Sequence, residues 1–144
     1  MKRNDPIGFS LISLSTEQFA LLEEDVDIKD MFNIQTQIRF GASQENRYIQ
    51  AIIKFKFEAK DRPFIVLEVA SIFSVREEDW DSLINNEKDS IVFPRNFVLH
   101  LSILTVGAAR GILHAKTENS TYHNILLPTI DVASLVKSDI IISL

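Results

Sequence analysis

Three histidines, His100, His114 and His123, are the first residues to consider for chemistry, because an imidazole can carry a proton or a metal ion near neutral pH. None stands at HxH, HxxxH or HExxH spacing, the patterns that aim two rings at one metal. Each reads as a surface or interface histidine. The carboxylates Glu23, Glu24, Asp25 and Asp27 come next. They could serve acid–base or calcium work, but their spacing lacks the DxDxDG alternation and the glycine that turns a calcium loop. A solvated acidic loop is the expectation. Gly107-Ala108-Ala109-Arg110-Gly111 looks faintly like a phosphate loop, yet it closes an apolar helical run instead of opening one, so its backbone N–H groups would point away from an anion. No GxSxG elbow or Ser/His/Asp order is present. With no cysteine in the chain, disulfides, thiolate catalysis and cysteine zinc sites are excluded. The expectation is a protein with no catalytic residue, no metal and no cofactor, and so not an enzyme.

Composition narrows the class. The 144 residues fit a single domain over 1–144, with 46% hydrophobic residues available for a core. The net charge of −5 and the absence of any Lys/Arg run argue against nucleic acid, which needs a basic footprint. Met1-Lys2-Arg3-Asn4-Asp5-Pro6 leads into no apolar stretch, so neither a signal peptide nor membrane insertion is expected. Asn119-Ser120-Thr121 matches a glycosylation sequon, without a secretion signal to give it meaning. A cytoplasmic location is the expectation.

The elements follow from periodicity. Residues 9–15 are β-prone with alternation broken between Leu11 and Ile12, which suggests a bulge or a strand buried on both faces. Residues 17–31 fit neither period and read as a long crossover that carries apolar residues among acids. Three clean strands follow at 32–40, 48–59 and 64–75, with period-two alternation and two polar turns between them. The pattern then predicts a short helix over 77–84, a polar loop over 85–90, and a main helix from Arg95 to Arg110. That helix is apolar nearly all round, opens after Pro94 and closes at Gly111, where a left-handed cap would sit. Residues 112–115 read as extended, 117–124 as polar loop and 131–136 as a short helical turn. The apolar tail Ile140-Ile141-Ile142-Ser143-Leu144 must be packed or used. The fold class is α+β: a four-stranded antiparallel sheet, a long crossover after strand 1, and a main helix in the C-terminal half packed on one face. A helix apolar all round needs cover on two sides, which points to a subunit interface over its second side.

Four short motifs, in shared order, carry a family resemblance over residues 9–136: Leu67-Glu68-Val69 followed by Ile72-Phe73-Ser74-Val75, Phe93-Pro94 opening the main helix, Arg110-Gly111 closing it, and Leu127-Pro128 followed by Ile130-Asp131. Together with the element order, they resemble the SecB protein-export chaperone family. The resemblance implies a homotetramer, a dimer of dimers with main helices sandwiched between sheets, and Phe97, Leu101, Leu104 and Ala108 are the interface candidates. It implies unfolded or nascent polypeptide clients held in apolar grooves, with Phe19, Leu21, Val26, Ile28, Met31, Phe32 and Ile34 as client-binding residues. It also implies docking of the translocation motor SecA on the outer sheet face, where Glu68 is the matching carboxylate. Gln18 and Leu22 stand where the family has acids, and the expectation for the short C-terminal part is that the family's lid helix and acidic tail are truncated or replaced.

Three roles follow. The first is a holdase for unfolded chains serving protein export. The second is a dedicated single-client chaperone or adaptor, of the kind that serves toxin–antitoxin systems. The third, a small enzyme with a cavity, would need convergent polar groups that the residues do not supply.

Overall fold

The computed structural model describes residues 6–22 and 31–144. Four long strands come first: β1 (Phe9–Leu21), β2 (Asn33–Ser43), β3 (Tyr48–Ala59) and β4 (Arg62–Val75). They form one antiparallel sheet in the order β1-β4-β3-β2, so β1 and β2 are its edges. The architecture expected from the sequence is present, with two corrections to its first half. β1 continues through Leu21, so Phe19 and Leu21 belong to a strand and not to the crossover. The chain between β1 and β2 is correspondingly shorter, and Val26 and Ile28 fall outside the described residues.

Alternation sets the register. In β3, Ile49, Ala51, Ile53, Phe55 and Phe57 are wholly buried, and the residues between them are half-exposed. Residues opposite one another share a face, so Phe57, Phe55 and Ile53 meet Ile65, Leu67 and Val69 of β4 on the buried side. β3 turns into β4 through Lys60 and Asp61, at φ 52° and 63°, the left-handed pair that a two-residue hairpin of matching twist requires. The break at Leu11/Ile12 proves to be a bulge: Leu11 opposes Phe73 and Ser13 opposes Ile72, with Ile12 extra, and a second irregularity falls between Thr16 and Gln18. The alternative of a strand buried on both faces does not hold, because Leu11, Ile12 and Leu14 are exposed.

After β4 come α1 (Glu77–Leu83), β5 (Ile84–Asn85), β6 (Ser90–Phe93) and α2 (Arg95–Thr117). Then follow α3 (Val132–Leu135) and β7 (Ile140–Ser143). The tail is used: β7 pairs with β6 in a second sheet of order β5-β6-β7. The stretch expected to be a polar loop over 85–90 thus ends in a strand with buried Ile91 and Phe93.

α2 is longer than its sequence suggests. It passes through Gly111 without a left-handed cap and ends at Thr117, so residues 112–115 are helical and not extended. Two buried anchors beyond Gly111 explain this. Leu113 and Thr117 are both fully buried, and the stabilisation from burying such a leucine, about 1.5–3 kcal/mol, outweighs the roughly 1 kcal/mol that a mid-helix glycine costs. By length and composition alone α2 could cross a membrane. Here one side of it, Val98, Leu101, Val106, Ala109 and Leu113, lies in the core against β3 and β4. The hydroxyls on that side cost little, because Ser102, Thr105 and Thr117 donate to the carbonyls of Val98, Leu101 and Leu113 at 2.7–2.8 Å.

Two arginines of α2 hold the chain that follows. Arg110 donates from Nε to the Leu127 carbonyl and from Nη2 to that of Pro128, both at 3.0 Å. Arg95 donates to the carbonyls of Val136 at 2.7 Å and Ala133 at 3.2 Å. The Arg110-Gly111 motif is thus a clamp on the 127–128 segment and not a helix end.

Candidate functional site

The residues that could do chemistry are scattered. The His100 ring packs edge-on against Phe9 at 5.7 Å, His123 Nδ1 lies 3.1 Å from the Ser120 carbonyl, and His114 is exposed near the end of α2. Among the described residues, no group of three His, Asp or Glu side chains could hold a metal ion. The acids Glu23, Glu24, Asp25 and Asp27 lie outside those residues. One buried carboxylate stands out, Asp79, only 1% exposed. It accepts from the Gly8 N–H at 2.8 Å and from Arg76 Nε at 3.0 Å. This locks the start of β1 to the start of α1, which is a structural role.

The apolar residues are better organised. Leu21 opposes Ile65, Ile65 opposes Phe57, and Phe57 opposes Ile34, a single row across all four strands on the α2 side of the sheet. Phe19 sits one row further in, opposite Leu67, with the Lys116 ammonium 5.8 Å over its ring. Phe32 packs on Phe57 and Phe64 at 6.0 Å, and Phe64 packs in turn on Tyr122 at 5.3 Å. Met31 is 93% exposed, and Leu21 and Leu22 are exposed beside this cluster. Phe19, Leu21, Met31, Phe32 and Ile34 therefore gather at one end of the sheet. They come from its two edges, a span of roughly 14 Å at the usual strand spacing.

Leu11, Ile12 and Leu14 are further exposed apolar residues on β1, and sequence patterning did not single them out for binding. The signal was the broken alternation, which marks the bulge at Ile12 that places Leu11 and Leu14 on the same face. Leu11 and Leu14 face the α2 side, opposite buried Phe73 and Ser71. Among the described residues, no strand pairs with the outer edge of β1.

The side of α2 away from the sheet is also open. Asn96, His100, Ile103, Leu104, Gly107, Gly111 and His114 form one exposed stripe, and Leu126 lies exposed near Ile103 across a depression of about 520 Å³. Of the interface candidates, Leu104 is on this open side and Ala108 borders it. Phe97 is half-buried against Phe9 and Phe93, and Leu101 is fully buried in the chain's own core, so Leu101 has no surface to offer a partner.

Glu68 lies on the outer sheet face. Arg39 Nη2 stands 3.4 Å from its Oε1, and the Glu68 side chain is 16% exposed beneath a 65% exposed Arg39.

No family model matches the chain, and no curated protein matches it. The chain is similar in structure to the SecB-like chaperone of Mycobacterium tuberculosis, solved in complex with a ChAD peptide from an antitoxin. There the identity is 11% and the TM-score 0.48, with 85% of this chain and 90% of that one covered. It is also similar to a protein of unknown function from Streptococcus agalactiae, at 12% identity and a TM-score of 0.43, covering 88% of this chain and 99% of that one.

Proposed function

We propose that this protein is a chaperone that holds unfolded or nascent polypeptides in the cytoplasm, in support of protein export, and performs no reaction on them. The observation that carries the reading is β1: a thirteen-residue edge strand with Leu11, Ile12, Leu14 and Leu21 exposed along it. A long apolar edge is a template for another chain, which is why proteins that do not use such edges shorten, charge or cover them. An extended client would add main-chain hydrogen bonds at the edge and bury alternate side chains on the adjoining apolar surface, a mode with little sequence preference. At the far end of β1 the exposed Leu21, Leu22 and Met31 and the half-buried Phe32, backed by buried Phe64 and Tyr122, make a surface for larger apolar side chains.

The open stripe of α2 fits a second copy of the chain, and a homotetramer is part of the proposal. Docking of a translocation motor through Glu68 would first have to displace Arg39.

The test is an aggregation assay on a chemically unfolded model protein, without ATP. Wild type is compared with a Leu21→Asp, Met31→Asp double variant whose oligomeric state has been checked. Both positions are exposed, so the fold should survive. Wild type should suppress aggregation and the variant should lose most of that effect. Suppression by both places the clients elsewhere. No suppression by wild type removes the general holdase reading and leaves a dedicated single-client role, for which copurification of one partner is the readout.

A further inference from the structure

The outer face of the sheet differs in charge from the rest of the molecule. In a chain of net charge −5, β2 and β3 bring Arg39, Lys54 and Lys56 together on the face opposite α2, with Gln35 and Gln37 beside them. The register makes this a patch: Gln35 opposes Lys56, Gln37 opposes Lys54, and Lys54 opposes Glu68 on β4. Two carboxylates border it: Glu68 is paired with Arg39 at 3.4 Å, and Glu58 at the end of the patch keeps its charge while accepting from Gln35 Nε2 at 3.2 Å. Among the described residues, neither Lys54 nor Lys56 forms an ion pair. A shallow groove runs over these side chains. One part, about 380 Å³, is lined by Gln37, Arg39, Ile52, Lys54 and Glu68. The other, about 110 Å³, shares Gln37 and Lys54 and continues to Gln35 and Lys56.

We propose that this groove docks an acidic polypeptide segment. Its Asp or Glu carboxylates would be met by the Lys54 and Lys56 ammonium groups and by the outer side of the Arg39 guanidinium. The Gln35 and Gln37 amides can donate to main-chain carbonyls between them. The chemistry favours a peptide over a nucleic acid. Two lysines and the outer side of one arginine can meet a short run of carboxylates, whereas a nucleic-acid site uses several more phosphate contacts. The groove is on the opposite face from Leu21 and Leu14, so it engages its partner independently of the proposed client surface.

The experiment is fluorescence anisotropy with a labelled oligo-glutamate and the full chain at low ionic strength. Wild type should bind, and added salt should weaken binding, because the site is exposed to screening. Lys54→Glu plus Lys56→Glu should weaken binding about tenfold or more, since like charge then faces like charge. Leu21→Asp plus Met31→Asp should leave binding unchanged, which separates this site from the client surface. Lys54→Gln plus Lys56→Gln serves if the reversed pair fails to fold by circular dichroism. No binding by wild type overturns the proposal, as does equal binding by the lysine variants. Tighter binding of a labelled single-stranded oligonucleotide, lost with the same lysines, would also overturn it by assigning the face to nucleic acid.

Discussion

Asp139 and Arg95 meet at the start of α2 and join two distant parts of the chain. Pro94 offers no side chain to cap the helix, and the Arg95 N–H is one of the donors that a helix start leaves without a partner. Asp139 Oδ1 accepts it at 2.7 Å, and a carboxylate there also faces the positive end of the helix dipole. The Arg95 side chain reaches the Val136 and Ala133 carbonyls, so the contact holds in both directions. Asp139→Ala should cost about 1 kcal/mol, read as a lower urea midpoint at unchanged slope. A second residue-scale expectation concerns Lys60 and Asp61, non-glycine residues in the left-handed region. Lys60→Asn with Asp61→Gly supplies the residues that this hairpin turn prefers, and should raise the thermal midpoint by an amount corresponding to about 0.5–1 kcal/mol. The turn at 60–61 is legible in the sequence, but the Asp139–Arg95 contact is not. Asp139 lies 44 positions from Arg95, and nothing local distinguishes a capping carboxylate from a solvated one.

At the scale of the element, the strands and helices had unequal legibility. β3 could be read residue by residue because burial on one face imposes period two over its whole length. β1 is legible through its first bulge to Ser15, and beyond it Glu17 and Gln18 interrupt the apolar pattern where the register slips a second time, so the rest reads as crossover. α2 was cut short because a glycine after an apolar run looks like a cap, and what carries the helix onward is packing of Leu113 and Thr117 from outside the local sequence. The same glycines give a test of the open stripe. A Cβ added at Gly107 would meet nothing within 4 Å, so no contact inside the chain calls for glycine there. Gly107→Ala should stabilise the isolated chain by up to about 1 kcal/mol. Gly107→Leu should leave thermal stability no lower and shift the molecule toward monomer in light scattering, if a second copy's helix lies close against this stripe. An unchanged mass for Gly107→Leu would move the subunit contact to another surface.

For the whole molecule, the main point is that the sheet is covered on one side only. α2 covers the middle strands β3 and β4 and touches β1 at Phe9 and Phe19, but leaves Leu11, Leu14 and Leu21 on the same side of β1 exposed. The exposed apolar residues include Leu11, Leu14, Leu21, Met31, Ile103 and Leu104. They border an edge strand and a bare helix, which are the two surfaces on which polypeptide partners add most readily. The polar outer face is separate, and its basic patch and engaged Glu68 make it a poor match for a partner that seeks exposed acids.

By itself the sequence determined the α+β class, the three clean strands, the short helices, the existence of α2 and the absence of cysteine chemistry, because each follows from local periodicity or composition. The tertiary structure alone decided which apolar residues are core and which are surface. Leu101 and Leu104 are equally apolar and three positions apart, yet one is buried between α2 and the sheet and the other is open. The difference depends on where a helix face meets a sheet, and on the bulge that places Leu11 and Leu14 on one face of β1. Those are long-range geometries that no residue carries in its own side chain.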